Sequence, residues 1–111
     1  RFLATGNMQG MVRVWDLAHG TPVLEFPAHE RRVRAVAWSP DGTRLATGGE
    51  DGRLALWRSD GIELWRRTSG GETVRSLAFS PDGKHLAVAS VEPQPLAVWS
   101  ADEGLLAKTL R

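Results

Sequence analysis

The side chains able to do chemistry in this chain are few and scattered. Histidine stands at His19, His29 and His85, and cysteine is absent. No two histidines show the His-Glu-x-x-His spacing that would set two imidazoles on one helix face, so a metal site gains no support. Without cysteine, disulfides and thiolate metal sites are excluded. Gly70-Gly71 is a turn signal rather than a phosphate cradle. What remains is recognition chemistry. Arg31 and Arg32 beside Glu30 can clamp an acidic peptide, because a guanidinium meets a carboxylate through two parallel N–H donors. Arg outnumbers Lys by 12 to 2, a ratio that either planar ion-pair chemistry or codon usage produces.

The composition bounds what such residues could serve. Of 111 residues, 41% are hydrophobic and 24% charged, which is ordinary for a folded domain and disfavours disorder. A formal charge of +1 gives no field strong enough to hold DNA, RNA or an anionic membrane surface, so neither nucleic acid nor membrane is expected as a partner. No apolar run approaches the roughly 18 residues of a membrane span, and no signal-peptide pattern is visible. Freedom from cysteine fits a cytoplasmic location. The chain opens without Met directly into a strand-like run, Arg1 to Thr5, which reads as a cut edge.

The elements that must position these residues come from a repeat of about 42 residues. Leu3-Ala4-Thr5-Gly6 recurs as Leu45-Ala46-Thr47-Gly48 and more loosely as Leu86-Ala87-Val88-Ala89. Trp15, Trp57 and Trp99 follow at steps of 42 residues. The run Val33 to Gly42 recurs 41 residues later as Val74 to Gly83, each copy closing on Ser-Pro-Asp-Gly. In 33–38, Val33, Ala35 and Ala37 alternate with Arg34, Val36 and Trp38, a two-residue period with both faces largely apolar, as in a strand covered on two sides. Ser-Pro-Asp-Gly stops it: Pro presets the turn, Asp bonds its own backbone and Gly accepts positive φ. Strands are predicted near 1–5, 11–16 and 22–26, then 33–38, 44–48, 53–58 and 62–67, then 74–79, 85–90, 96–100 and 105–110. One whole unit is therefore a four-stranded antiparallel meander that must lie between neighbours, with the strand at 62–67 patterned as an edge.

These marks together resemble the WD40 repeat, which builds one propeller blade from roughly 40 to 45 residues. They are Trp15-Asp16, the Ala28-His29 step before Val33, both Ser-Pro-Asp-Gly turns and the Leu-Ala-Thr-Gly strands, in order and at period across essentially the whole chain. The resemblance implies an all-β, WD40-type β-propeller fragment of four-stranded antiparallel blades with an incomplete ring: a partial blade over 1–26, and complete blades over 27–67 and 68–111. It also implies a buried structural hydrogen-bond network, matched here by His29, Thr47, Asp51 and Trp57. That trio of His, Asp and hydroxyl imitates a hydrolase triad but is structural in the family. Departures are Gln9 where the turn Asp is expected, Gly70 in place of His, and Glu92-Pro93-Gln94-Pro95 in place of the Asp turn; the blades holding them are expected to be looser, and Pro95 suggests a bulged turn.

The same resemblance places loops 27–32 and 68–73 and turns 6–10, 49–52 and 90–95 on one face, where the family often binds peptides or proteins. Met8, Glu30, Arg31, Arg32, Glu50, Glu72 and Glu92 are the candidate partner-binding residues on it. Trp38 is expected between blades; Trp65 reads as inter-blade core or as an anchor for a partner. The expected role is a non-catalytic protein–protein interaction scaffold within a larger WD40-repeat protein, with no cofactor. A fragment of an enzymatic, hydrolase-like propeller with its site on other blades is the alternative. Propellers close typically at about four to eight blades, so the remaining blades are expected from a parent chain or from self-assembly of copies.

Overall fold

In the computed structural model, which describes residues 1–69, 73–91 and 96–110, the chain forms eleven strands and no helix among the described residues. They are β1 (Phe2–Gly6), β2 (Met11–Asp16), β3 (Thr21–Pro27), β4 (Val33–Trp38), β5 (Arg44–Gly49), β6 (Arg53–Arg58), β7 (Glu63–Thr68), β8 (Val74–Phe79), β9 (His85–Ser90), β10 (Leu96–Ser100) and β11 (Leu106–Leu110). All lie within one residue of the spans read from the repeat. The strands make three antiparallel sheets in chain order: β1-β2-β3, β4-β5-β6-β7 and β8-β9-β10-β11. Short turns join sequential neighbours, so each sheet is a meander whose links alternate between its two ends.

The middle sheet is covered on both faces, which is why its strands are apolar on both. One face, with Leu45, Ala55, Trp57, Val36 and Trp38, packs on Ala4, Val12, Val14, Leu24 and Phe26 of the first sheet. The other, with Ala46, Leu54, Leu56 and Trp65, packs on Val74, Leu77, Leu86, Val88, Ala97 and Trp99 of the third. Leu45, Leu54 and Leu56 are fully buried. Burying each leucine side chain stabilises the fold by roughly 1.5–3 kcal/mol.

Two details differ from the sequence reading or resolve it. Val33 does not share a face with Ala35 and Ala37. A register shift between Val33 and Ala35 turns Val33 toward the first sheet, beside Gly6, with Val36 and Trp38. The equivalent shift between Val74 and Ser76 turns Val74 toward the second sheet, beside Gly48. Trp65 is core: it is buried against the third sheet, and its indole N–H donates to the Ala101 carbonyl at 2.8 Å. Each outer strand pair is also shifted one residue before its Trp, at Val14/Trp15, Leu56/Trp57 and Val98/Trp99. The bulge suggested at Pro95 lies outside the described residues.

Candidate functional site

The repeat places chemistry at two levels, a buried set in the middle sheet and an exposed face above it. His29 stands in the loop after β3, Thr47 on β5, Asp51 in the β5–β6 turn and Trp57 on β6. The structure joins all four. His29 Nδ1 lies 3.1 Å from both Asp51 carboxylate oxygens, His29 Nε2 lies 2.8 Å from Thr47 Oγ1, and Trp57 Nε1 donates to that same oxygen at 2.9 Å. A single proton arrangement satisfies every group: Nδ1–H donates to Asp51, the Thr47 hydroxyl donates to Nε2, and the Thr47 oxygen accepts from the indole. Asp51 further accepts from the backbone N–H groups of Glu30 and Arg53. Burial holds the His29 imidazole below its ordinary value of 6.5, against the opposing pull of the Asp51 carboxylate. The Thr47 hydroxyl and His29 side chain are fully buried, so the resemblance to a hydrolytic triad lacks the substrate access that nucleophilic attack requires.

This set fixes the loop above it. Residues 28–33 are tied to the preceding β1–β2 turn through Ala28 N to Gly10 O at 2.9 Å, His29 N to Gly10 O at 3.1 Å and Val33 N to Asn7 O at 3.0 Å. They are tied to the following turn through Glu50 N to Arg32 O at 2.9 Å and Glu30 N to Asp51 Oδ2 at 3.2 Å. Gly10 is required for the first of these ties. Its φ is +86°, and a Cβ there would overlap the His29 carbonyl. Loop 28–33 is therefore a pinned platform that presents Glu30 and Arg31 outward.

At this end of the sheets lies an open depression of about 540 Å³ lined by Glu30, Arg31, Glu50, Asp51, Gly52, Thr68 and Thr73. Of the residues singled out from sequence, the structure brings Glu30, Arg31 and Glu50 together here. Arg32 is half-buried in the same loop without lining the depression, and Met8 is exposed on the neighbouring turn. Glu72 and Glu92 lie outside the described residues. Thr68, Thr73 and Gly52 were not singled out. Thr68 and Thr73 flank a loop whose signal was only Gly70-Gly71, and a lone Thr at a strand end carries no pattern. Asn7 was also missed: its side-chain oxygen accepts the N–H groups of Gln9 and Met11, both at 3.0 Å, capping the turn whose Asp position holds Gln9. The Gly6-Asn7 turn signal, two residues before Gln9, could have found it.

The opposite end carries the Ser-Pro-Asp-Gly turns. Ser39 Oγ donates to Asp41 at 2.7 Å, and the Thr43 N–H and hydroxyl also donate to it, at 3.1 and 2.8 Å. These donors, Ser39 first, pull the Asp41 carboxyl down to about 2. Asp82 is lowered in the same way by Ser80. His19 pairs with Asp16 at 2.8 Å on the surface, and His85 begins β9. Among the described residues, no three His, Asp or Glu side chains gather as a metal site.

Comparison with known proteins places these observations. Residues 20–58 match the family model described as WD domain, G-beta repeat, and residues 45–110 match that of the Anaphase-promoting complex subunit 4 WD40 domain. The chain is 41% identical to human Coronin-7 over 56 residues, 50% of this chain and 6% of that protein. It is 45% identical to rat Guanine nucleotide-exchange factor SEC12 over 58 residues, 52% of this chain and 14% of that one. It is 37% identical to the Pre-rRNA-processing protein IPI3 of Mycosarcoma maydis over 60 residues, 54% of this chain and 10% of that one. The chain thus spans a small part of each relative's length. A chain in the crystal structure of a mitotic checkpoint complex superposes with a TM-score of 0.90 over 98% of this chain and 36% of its own, at 24% identity, a likeness of fold.

Proposed function

The chain belongs to the WD40-repeat β-propeller family, and from that premise we propose that it is a non-catalytic recognition module that binds a protein or peptide across the face bearing loop 28–33. One observation carries this reading. The hydrogen-bonded set of His29, Thr47, Asp51 and Trp57 lies directly beneath the depression, and Asp51 belongs to both. The buried residues act on the surface by fixing a loop, with four backbone–backbone hydrogen bonds and one from the Glu30 N–H to the Asp51 carboxylate holding 28–33 before any partner arrives. A loop ordered in advance loses little entropy on binding, which is what a recognition surface needs. The other end offers turns whose carboxylates are already engaged at Oδ1 by their own hydroxyl and backbone donors. The WD-domain match, and relatives of which this chain covers only a small part, support the same reading.

The test is site-resolved cross-linking. A photoreactive residue introduced at Glu30 or Thr73 is expected to give discrete protein adducts in extracts of the source cells. The same residue at Lys84, exposed at the opposite end, is expected to give none. Equal labelling from both ends, or adducts from Lys84 alone, rules the reading out.

A further inference from the structure

The ion-pair inventory around the depression is unbalanced. Arg34 pairs with Glu50 at 3.5 Å and Arg66 with Glu63 at 3.1 Å. Asp51 is occupied by His29 and two backbone donors. Arg31, Arg32 and Arg53 have no ion-pair partner among the described residues, whereas Glu30 is the one acidic side chain of this cluster in the same position. Arg31 lines the depression of about 540 Å³. Arg53 lines a second hollow of about 240 Å³, and Glu30 stands on the rim of both. The first hollow sets Arg31 among Glu30, Glu50 and Asp51, and the second sets Arg53 and the paired Arg66 beside Glu30, so the two suit a chain that alternates anionic with neutral groups and places its charge on Arg31 and Arg53 alone. Each guanidinium presents a planar fork that a carboxylate meets with two hydrogen bonds.

We propose that the partner segment recognised at this face is an acidic linear peptide, its Asp or Glu side chains held by Arg31 and Arg53, with Arg32 adding charge from the same loop. This deepens the interaction reading above and rests on it. Glu30 and Glu50 sharpen the choice. A nucleic-acid backbone presents an evenly spaced, dense run of negative charge, and two carboxylates at the rim repel it. A peptide alternating acidic and neutral residues places its charge at the arginines and its uncharged backbone beside the rim. The Thr68 and Thr73 hydroxyls at the depression supply neutral donors for peptide carbonyls. Pinning of loop 28–33 sets Arg31 in place in advance.

The experiment measures fluorescence anisotropy of a labelled alternating Glu-Ala peptide, about ten residues long, binding to the chain. Its Gln-Ala analogue and a short DNA duplex serve as comparators. The Glu peptide is expected to bind and the Gln peptide not to. Because charge-assisted bonds are each worth more than neutral ones, the R31E/R32E double reversal should weaken binding by about a hundredfold and R31K, which keeps charge but loses the fork, by about tenfold. R53E, on a strand rather than the loop, should lose about tenfold and guards against a loop-specific folding defect. K84E makes the same kind of charge change at the far end and should stay within about threefold, since exposed charges beyond a Debye length are screened. Equal binding of the Gln peptide, unchanged affinity in R31E/R32E, or displacement by DNA at lower concentration than by unlabelled peptide overturns the proposal. If the proposal fails while cross-links from Glu30 persist, only the acidic identity of the partner is lost. If those cross-links vanish as well, the interaction reading fails with it.

Discussion

His29 shows how one side chain ties core to surface. Its imidazole is neutral in the folded chain because burial lowers its proton affinity more than Asp51 raises it. The sign of the consequence follows from linkage. A group whose folded value lies below its unfolded value contributes fully above the unfolded value, here 6.5, and that contribution is lost as pH falls through the folded value. Stability should therefore decline as pH drops below 6.5, before the surface carboxylates respond; Asp41, held at about 2 against an ordinary 3.8, gives up its contribution only below 3.8. Thermal melts from pH 7.5 to 5 should show this decline in the native chain and a flatter profile in His29→Gln, which cannot titrate. Parallel profiles would mean that His29 does not carry the effect. The four members of this set were legible as residue types at family positions. Asn7 was not, because the pattern looked for an acid at the Gln9 position while the structure caps the same turn from two residues upstream.

At the scale of strands, the three sheets are repeats in register, which makes equivalent positions comparable. Leu3, Leu45 and Leu86 pair with Trp15, Trp57 and Trp99, so Thr5, Thr47 and Val88 hold one position. Thr5 accepts the Trp15 indole at 3.1 Å and Thr47 the Trp57 indole at 2.9 Å. Val88 has no hydroxyl, and the buried Trp99 indole N–H finds no acceptor among the described residues. Val and Thr are nearly equal in shape, so reciprocal substitutions isolate the hydrogen bonds. Thr47→Val should cost about 2–4 kcal/mol, since it strands both the indole N–H and the imidazole nitrogen. Val88→Thr should gain up to about 1 kcal/mol by giving Trp99 a partner. Urea unfolding of each variant measures this, and a Val88→Thr chain less stable than the parent would show that Trp99 gains nothing. Strand positions were legible because turn residues and tryptophans punctuate them. The shifts at Val33 and Val74 were not: both faces of β4 meet apolar neighbours, so a bulge there leaves its hydrophobic pattern unchanged, and β8 repeats the sequence of β4 with the same shift.

For the molecule as a whole, the middle sheet is sealed while the two outer sheets each keep one uncovered face. Leu3 of the first sheet and Leu96 and Leu110 of the third, on the faces opposite Ala4 and Ala97, are exposed, whereas Leu45, Leu54 and Leu56 of the middle sheet are sealed. Among the described residues β1 has β2 on one side and no strand on the other, and Leu3 lies exposed on it. Unpaired backbone groups along a strand edge and apolar side chains next to it are the two features that drive sheets together. The chain studied alone should therefore self-associate as concentration rises. Sedimentation velocity over a tenfold range is expected to show a weight-average coefficient that climbs with concentration. Leu3→Lys and Leu96→Lys, which charge the faces opposite the core-packed Ala4 and Ala97, should shift it back toward monomer. A single monomeric boundary across that range, with a sharp cooperative melt, would mean that the middle sheet's two cores suffice and that the outer faces need no cover.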